Sequence, residues 1–191
     1  MTVERTIEVR PAATRFDDVA AVLKPGGTGN GCWCLSYRDG SGIPEAADRR
    51  ERMRELCSAE PGPGVLLYVD GEIAGWCSVA PRSSYRRLMN SRTIPWVDER
   101  DAWAIVCFVI RAGFRGQGLM RPLLDGAVAW AQRNGAEVVE GYPVDLGGDR
   151  ISATGGYVGT VELFEGAGFE RAAETTAHSD HRVRWVMRKE L

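Results

Sequence analysis

The sequence predicts an α/β (α+β) fold, one central sheet flanked by helices, and three stretches predict it. Trp103 to Ile110 is an unbroken apolar run, rich in β-branched and aromatic residues, between Asp101 and Arg111. That is the pattern of a strand buried on both faces. The turn after it, Arg111 to Gly118, holds three glycines. Leu119, Met120, Leu123, Leu124, Ala127 and Ala131 then repeat at the spacing of an amphipathic helix, which Gly135 is placed to end. Finally, Asp70-Gly71 sits between the runs Val65–Val69 and Glu72–Val79 and is the strongest hairpin signal in the chain.

The remaining elements follow in order. Thr6 to Arg10 alternates and stops at Pro11, which predicts a first strand. Thr14 is placed to cap a helix over Arg15–Leu23, with Asp17 and Asp18 in its first turn. Lys24 to Gly31 breaks regular structure, Cys32 to Arg38 follows, and a polar helix is expected over Glu45–Cys57. Pro81 to Arg100 reads as a long polar connection into the central strand. Glu137–Tyr142 is the next strand, ended by Pro143, and a glycine-rich loop runs from Leu146 to Gly159. A short helix over Thr160–Ala167 stops at Gly168, and strands at Phe169–Ala173 and Arg182–Arg188 close the chain across a polar turn. There is no repeat and no linker, so residues 1–191 are expected to form a single domain.

Composition narrows the functional classes. The net charge is −2, and the 24 basic residues are 22 Arg and 2 Lys, a near-neutral balance that makes no case for nucleic-acid binding. No apolar run is long enough to span a bilayer, and no charged-then-apolar leader precedes Pro11, so no membrane or secretory role is expected. Five cysteines, an odd number at low density, fit reduced thiols in the cytoplasm.

The glycine turn carries the clearest chemistry. Gly116 and Gly118 lack a Cβ, so backbone N–H groups can approach a ligand closely. The first N–H groups of the following helix have no internal partner and lie at the positive end of its dipole, which suits a pyrophosphate. No lysine is present for a Walker loop, and Met120 and Arg121 stand where a dinucleotide fingerprint would need its third glycine. Arg115-Gly116-Gln117-Gly118-Leu119 resembles the acyl-CoA-binding motif of the GNAT superfamily of N-acyltransferases, Arg/Gln-x-x-Gly-x-Gly/Ala. Met120 replaces the small final residue. Glu162 to Phe169 is similar to the family's helix ending in aromatic-Glu-x-x-Gly-Phe, and the order of elements from Thr6 to Arg188 is similar to its whole fold.

The resemblance implies a mixed, mostly antiparallel sheet and an acetyl-CoA-dependent N-acetyltransferase acting on a primary amine by direct attack in a ternary complex. A small-molecule acceptor is the leading expectation, with a protein or peptide amine and a non-catalytic CoA-binding module as alternatives. It also implies that the backbone around Phe108 and Ile110 holds the pantetheine arm. Arg115, Gly116, Gln117, Gly118, Leu119 and Met120 would hold the phosphates. A homodimer is compatible with it. Phe164 stands where many members have a tyrosine near the sulfur, so Tyr157 is the candidate proton donor. Glu140 and Asp145 flank the end of the strand beside the cleft, and either could serve as base. They are assigned here as Glu140 in catalysis and Asp145 in substrate binding. Trp33 and Tyr37 are expected to wall the acceptor pocket. Cys32 and Cys34, with Cys57 or Cys77, could be read as zinc ligands, but the Cys-x-Cys spacing is poor and no metal is expected. No His or Asp supports a thiol nucleophile. Arg82, Arg86, Arg87 and Arg92 cluster with Tyr85 and Trp96 before the central strand, where they could meet an acidic acceptor or the cofactor's phosphate. The favoured reading is a solvated charge run, and His178 and His181 are expected to be exposed.

Overall fold

A computed structural model of the chain describes residues 5–23, 32–39, 46–148 and 156–191. Seven strands form one continuous sheet in the order β1-β2-β3-β4-β5-β7-β6. They are β1 (Ile7–Pro11), β2 (Gly64–Val69), β3 (Glu72–Pro81), β4 (Trp103–Ile110), β5 (Val138–Gly141), β6 (Glu170–Ser179) and β7 (Arg182–Glu190). Every neighbouring pair is antiparallel except β4 and β5. The sheet is therefore mixed and mostly antiparallel, as the resemblance implied.

Helices α1 (Phe16–Leu23) and α2 (Ala46–Cys57) cover one face, where Phe16, Val19, Trp33, Tyr37, Met53 and Trp76 pack together. A short α3 (Arg86–Met89) follows a 3₁₀ turn after β3. The other face packs against α4 (Met120–Arg133) and α5 (Val161–Gly166), through Leu123, Leu124, Ala127, Phe164 and Phe169. Burying apolar side chains on both faces is what holds the layers together.

Several sequence expectations shift. Thr14 does not stand at the cap position: its φ is 62° and its N–H donates to Cys57 O at 2.7 Å, tying the entry of α1 to the end of α2. The closing hairpin is longer than expected, because Asp180 and His181 adopt positive φ of 53° and 61° and make a tight turn that matches strand twist. The expected polar connection, Pro81 to Arg100, holds buried Arg82, Tyr85, Leu88 and Ile94. Lys24–Gly31, Glu45 and much of the loop before Gly156 lie outside the described residues.

The central feature is where β4 leaves its partners. Its register with β3 shifts: Ser78 faces Cys107 while Val79 faces Ile105, so Val106 is an extra residue, a β-bulge. The bulge resets the alternation of side chains. Val106 and Cys107 both join the cluster under α1, and Phe108 joins the one under α4. Pairing with β5 ends at the same point, since only Trp103, Ala104 and Ile105 are matched, to Val139, Glu140 and Gly141. Beyond Ile105 the two parallel strands diverge, leaving one side of 106–110 without a strand partner.

Candidate active site

Two cavities meet along this unpartnered half of β4. One, about 810 Å³, lies toward α1 and is lined by Trp33, Cys34, Tyr37, Arg87 and Cys107. The other, about 710 Å³, lies toward α4 and is lined by Phe108, Gly116, Gly118, Leu119, Met120 and Leu163. Val109, Ile110, Phe114, Arg115 and Tyr157 line both, so these residues stand at the junction.

The second cavity has the makings of an anion cradle. Gly116 and Gly118 have φ of 71° and 72°, the left-handed region where L side chains are strained, and a Cβ at either would meet no protein atom. Glycine there shapes the backbone and leaves open space beside the first turn of α4. Arg115 Nε donates to Ile110 O at 3.0 Å, fastening the turn to the end of β4. Gln117 Nε2 donates to Gly113 O at 3.0 Å, and its side-chain oxygen accepts from Arg5. Gln117 does not line the cavity, so any contribution from it comes through shaping the loop. The glycine geometry, the first turn of α4 and the apolar Phe108–Leu163 floor fit a pyrophosphate on a thin pantetheine arm.

Tyr157 is about one-third exposed and touches both cavities. Its partial burial, with Tyr37 nearby, raises its pKa above the ordinary tyrosine value and keeps it protonated at neutral pH. Phe164 is fully buried, edge-to-face with Phe169 and Phe108 at centroid distances of 4.9 and 6.2 Å. Its ring lies so close to Gly141 that a Cβ there would sit 2.1 Å from Phe164 Cε1. That residue is core, and the hydroxyl at the cavity junction belongs to Tyr157.

Two expected residues lie elsewhere. Glu140, expected as a base, is 2% exposed and lines neither cavity. Its carboxylate accepts from Arg82 Nη1 at 2.7 Å and from Tyr142 Oη at 2.9 Å, with Arg188 Nε 3.1 Å away. A carboxylate buried between two guanidiniums and a phenol, outside both cavities, is held ionised by its neighbours and is out of reach of a substrate proton there. Asp145, expected at the acceptor site, instead accepts from Arg171 Nη1 at 2.8 Å and from Gly147 N at 3.1 Å, and faces Trp185 and Arg182 in a separate cavity. Those contacts hold its pKa below the ordinary carboxylate range, the Gly147 N–H contributing most among them. The Arg82 reading is corrected as well: this side chain is fully buried and stacks on Trp96 at 4.4 Å.

Trp33 is buried and stacked on Phe16, with centroids 6.2 Å apart and planes 7° from parallel. Trp33 and Cys34 both have positive φ, 51° and 52°, so the chain coils tightly here and turns both side chains inward. Cys34 Sγ lies 3.0 Å from Cys107 Sγ. The sequence had offered Cys57 or Cys77 as companions; the bulge brings Cys107 instead. The hydrogen bond to Cys107, then burial, hold the Cys34 thiol well above its ordinary pKa, and the bond to Cys34 raises that of Cys32. Since the thiolate is the reactive form, these thiols act as small apolar wall groups. Among the described residues no group of three or more His, Cys, Asp or Glu is placed to hold a metal ion. No helix among them is long and apolar enough to cross a membrane.

Sequence reading missed Cys107 and Phe114 as cavity residues, which matter only because of the bulge and the turn after it. Arg87 was named as one of four arginines with a possible acidic-acceptor role, and of those four it alone lines one of the two cavities.

The acetyltransferase (GNAT) family pattern matches residues 33–144, more than half of the chain, and the chain belongs to that family. No curated protein matches the sequence. Among solved structures, a mosquito arylalkylamine N-acetyltransferase-like protein (like 5b) is similar at 16% identity and TM-score 0.61, over 97% of this chain and 100% of that one. A ribosomal-protein-alanine N-acetyltransferase from Brucella melitensis is similar at 16% identity and TM-score 0.57, over 96% and 99%. The NatC complex bound to Gag peptide and CoA contains a chain similar at 12% identity and TM-score 0.55, over 97% and 98%. At these identities the likeness is one of fold.

Proposed function

We propose that this protein is an N-acetyltransferase that moves the acetyl group of acetyl-CoA to a primary amine of a small molecule, by direct attack while both are bound. The observation that carries this reading is the pair of cavities meeting at Val109, Ile110 and Tyr157. One fits a phosphate-bearing arm; the other fits an acceptor, and its volume of about 810 Å³ is in the small-molecule range.

Acetyl-CoA would supply the activated thioester. The work left to the chain is placement, charge stabilisation and proton transfer. Gly116, Gly118 and the first turn of α4 would bind the pyrophosphate, assisted by Arg115. Backbone N–H groups of Phe108 and Ile110, on the side β5 has left, would hold the pantetheine and meet the developing oxyanion. Tyr157, kept protonated, would give its proton to the departing sulfur. Among the described residues Glu72 is the one carboxylate lining the acceptor cavity, and it is 3.2 Å from Arg111. The acceptor ammonium therefore loses its proton to water before attack, so the rate should rise with pH as neutral amine accumulates.

The direct test is steady-state release of CoA thiol from acetyl-CoA across a panel of small amines, with the acetylated amine identified by mass spectrometry. Amine-dependent release supports the reading. Tight CoA binding with only slow, amine-independent hydrolysis would instead mark a CoA-binding module without transfer.

A further inference from the structure

Building on the transferase reading above, we infer that the acceptor carries an anionic group, in the simplest case a carboxylate near its amine, seated against Arg87 beside Tyr37. The argument begins with charge. Among the described residues the acceptor cavity is lined by Arg87, Arg111 and Arg115 against one carboxylate, Glu72. Arg111 is already matched, to Glu72 and to Ile73 O at 2.6 Å. Arg115 lies at the junction and reaches the phosphate side. Arg87 lines only the acceptor cavity, so the phosphates of CoA do not account for it.

A second guanidinium stands behind it. Arg184 is 4% exposed and donates from Nε to Tyr142 O and from Nη1 to Tyr37 Oη, each at 2.7 Å. Its Nη2 is buried with no partner among the described residues. Arg87 and Arg184 both stand over the Tyr37 ring, 5.3 and 6.0 Å from its centroid. The Arg87 backbone N–H also donates to Tyr37 O at 2.9 Å, which fixes α3 against this wall. Among the described residues no carboxylate pairs with either guanidinium.

Arg184 is a buried cation, and Arg87, exposed at the cavity, sets a second positive charge over the same ring, so a negative charge placed between them would be favoured. The fold supplies none here, and the open side of the arrangement is the acceptor cavity. An incoming carboxylate would meet the Arg87 fork directly and feel the Arg184 charge through the Tyr37 hydroxyl, whose oxygen already accepts from Arg184. Trp33, Val22, Leu23 and Phe114 would hold an apolar body. The implied acceptor class is an apolar amino acid or a related amino carboxylate. A polyamine would be repelled by the same wall.

The test compares matched pairs: phenylalanine with 2-phenylethylamine, and leucine with 3-methylbutylamine. kcat/KM for each is measured in the wild type, in Arg87→Gln and in the control Arg86→Gln, an exposed neighbour on α3 that does not line the cavity. The acid-to-amine ratio in one protein divided by the ratio in another cancels differences in amine basicity. Arg87→Gln should lower the ratio by roughly 10- to 100-fold, the range of one charge-assisted contact. Arg86→Gln should leave it within about twofold, as expected of a surface charge. An equal ratio in wild type and Arg87→Gln, with amines turned over, overturns the inference and leaves the transferase reading intact. If no amine is turned over, calorimetry of CoA-loaded protein with N-acetylphenylalanine and N-acetyl-2-phenylethylamine decides. Preference for the acid that disappears in Arg87→Gln supports the anion site, and equal or absent binding overturns it.

Discussion

Tyr157 and Glu140 show how differently single residues can be read from sequence. Tyr157 was picked out because the resemblance left one role unfilled: with Phe164 at the usual tyrosine position, Tyr157 offered the nearby hydroxyl. The structure puts Phe164 in the core and Tyr157 at the junction of the two cavities. Glu140 was not legible. Its position at a strand end is shared by catalytic and structural carboxylates, and only its partners distinguish them. Arg82 lies 58 residues away in sequence, and no periodicity predicts such a pairing. If Tyr157 is the acid, Tyr157→Phe should lower kcat by about 10²-fold or more while the KM for acetyl-CoA changes little. Because burial raises the pKa of Tyr157, the wild-type rate should climb with pH as the ammonium deprotonates. It should fall only above the ordinary tyrosine range, where this tyrosine ionises. A loss below about threefold in the variant would assign Tyr157 to packing and leave water as the donor.

At the scale of elements, the strand–turn–helix from Trp103 to Arg133 was fully visible, yet its decisive irregularity was not. A bulge betrays itself by breaking the alternation of polar and apolar residues, and β4 has no polar residue to break it. The extra residue, Val106, thus passes silently in sequence while in three dimensions it turns Cys107 toward Cys34 and ends the pairing with β5. The glycine turn, by contrast, is a statement about backbone conformation that sequence makes directly. Gly118 at φ 72°, with open space where a Cβ would point, allows a clean separation of strain from charge. Asn and Asp both tolerate the left-handed region better than other side chains and are nearly equal in size. Gly118→Asn therefore reports the effect of bulk at the phosphate site, and Gly118→Asp adds only a negative charge. By calorimetry, Gly118→Asp should bind CoA roughly tenfold or more weakly than Gly118→Asn. Equal affinities in the two folded variants would move the pyrophosphate away from this turn.

For the molecule as a whole, the order of elements told where the cleft should be but not what keeps the sheet together beneath it. Only three residues of β4 pair with β5, so the two halves of the sheet share little backbone hydrogen bonding. A buried polar belt closes this end instead. Arg82, just past β3, pairs with Glu140 on β5; Glu140 lies against Arg188 on β7; and Arg188 donates to both oxygens of Asp98, at 2.7 and 3.1 Å, in the connection before β4. Arg82 Nη2 also donates to Ile94 O and Pro95 O, drawing that connection over the junction. Each charge faces an opposite charge in the next group, which is what lets the buried members be tolerated, although Arg82 Nε and Arg188 Nε have no hydrogen-bond partner among the described residues. Removing one member strands the others. Glu140→Gln leaves the fully buried Arg82 without its counter-charge and should destabilise the protein by roughly 3–5 kcal/mol, visible as a fall in Tm by thermal denaturation. Arg82→Met alone should remove the guanidinium that hydrogen-bonds Glu140 and leave it only Arg188 as counter-charge, a smaller loss of the same kind. The double variant has no stranded charge at this pair, so it should lose clearly less than the sum of the two single losses. If the two effects simply add, the pair is not what joins the halves of the sheet, and the tie must run through Arg188 and Asp98 alone.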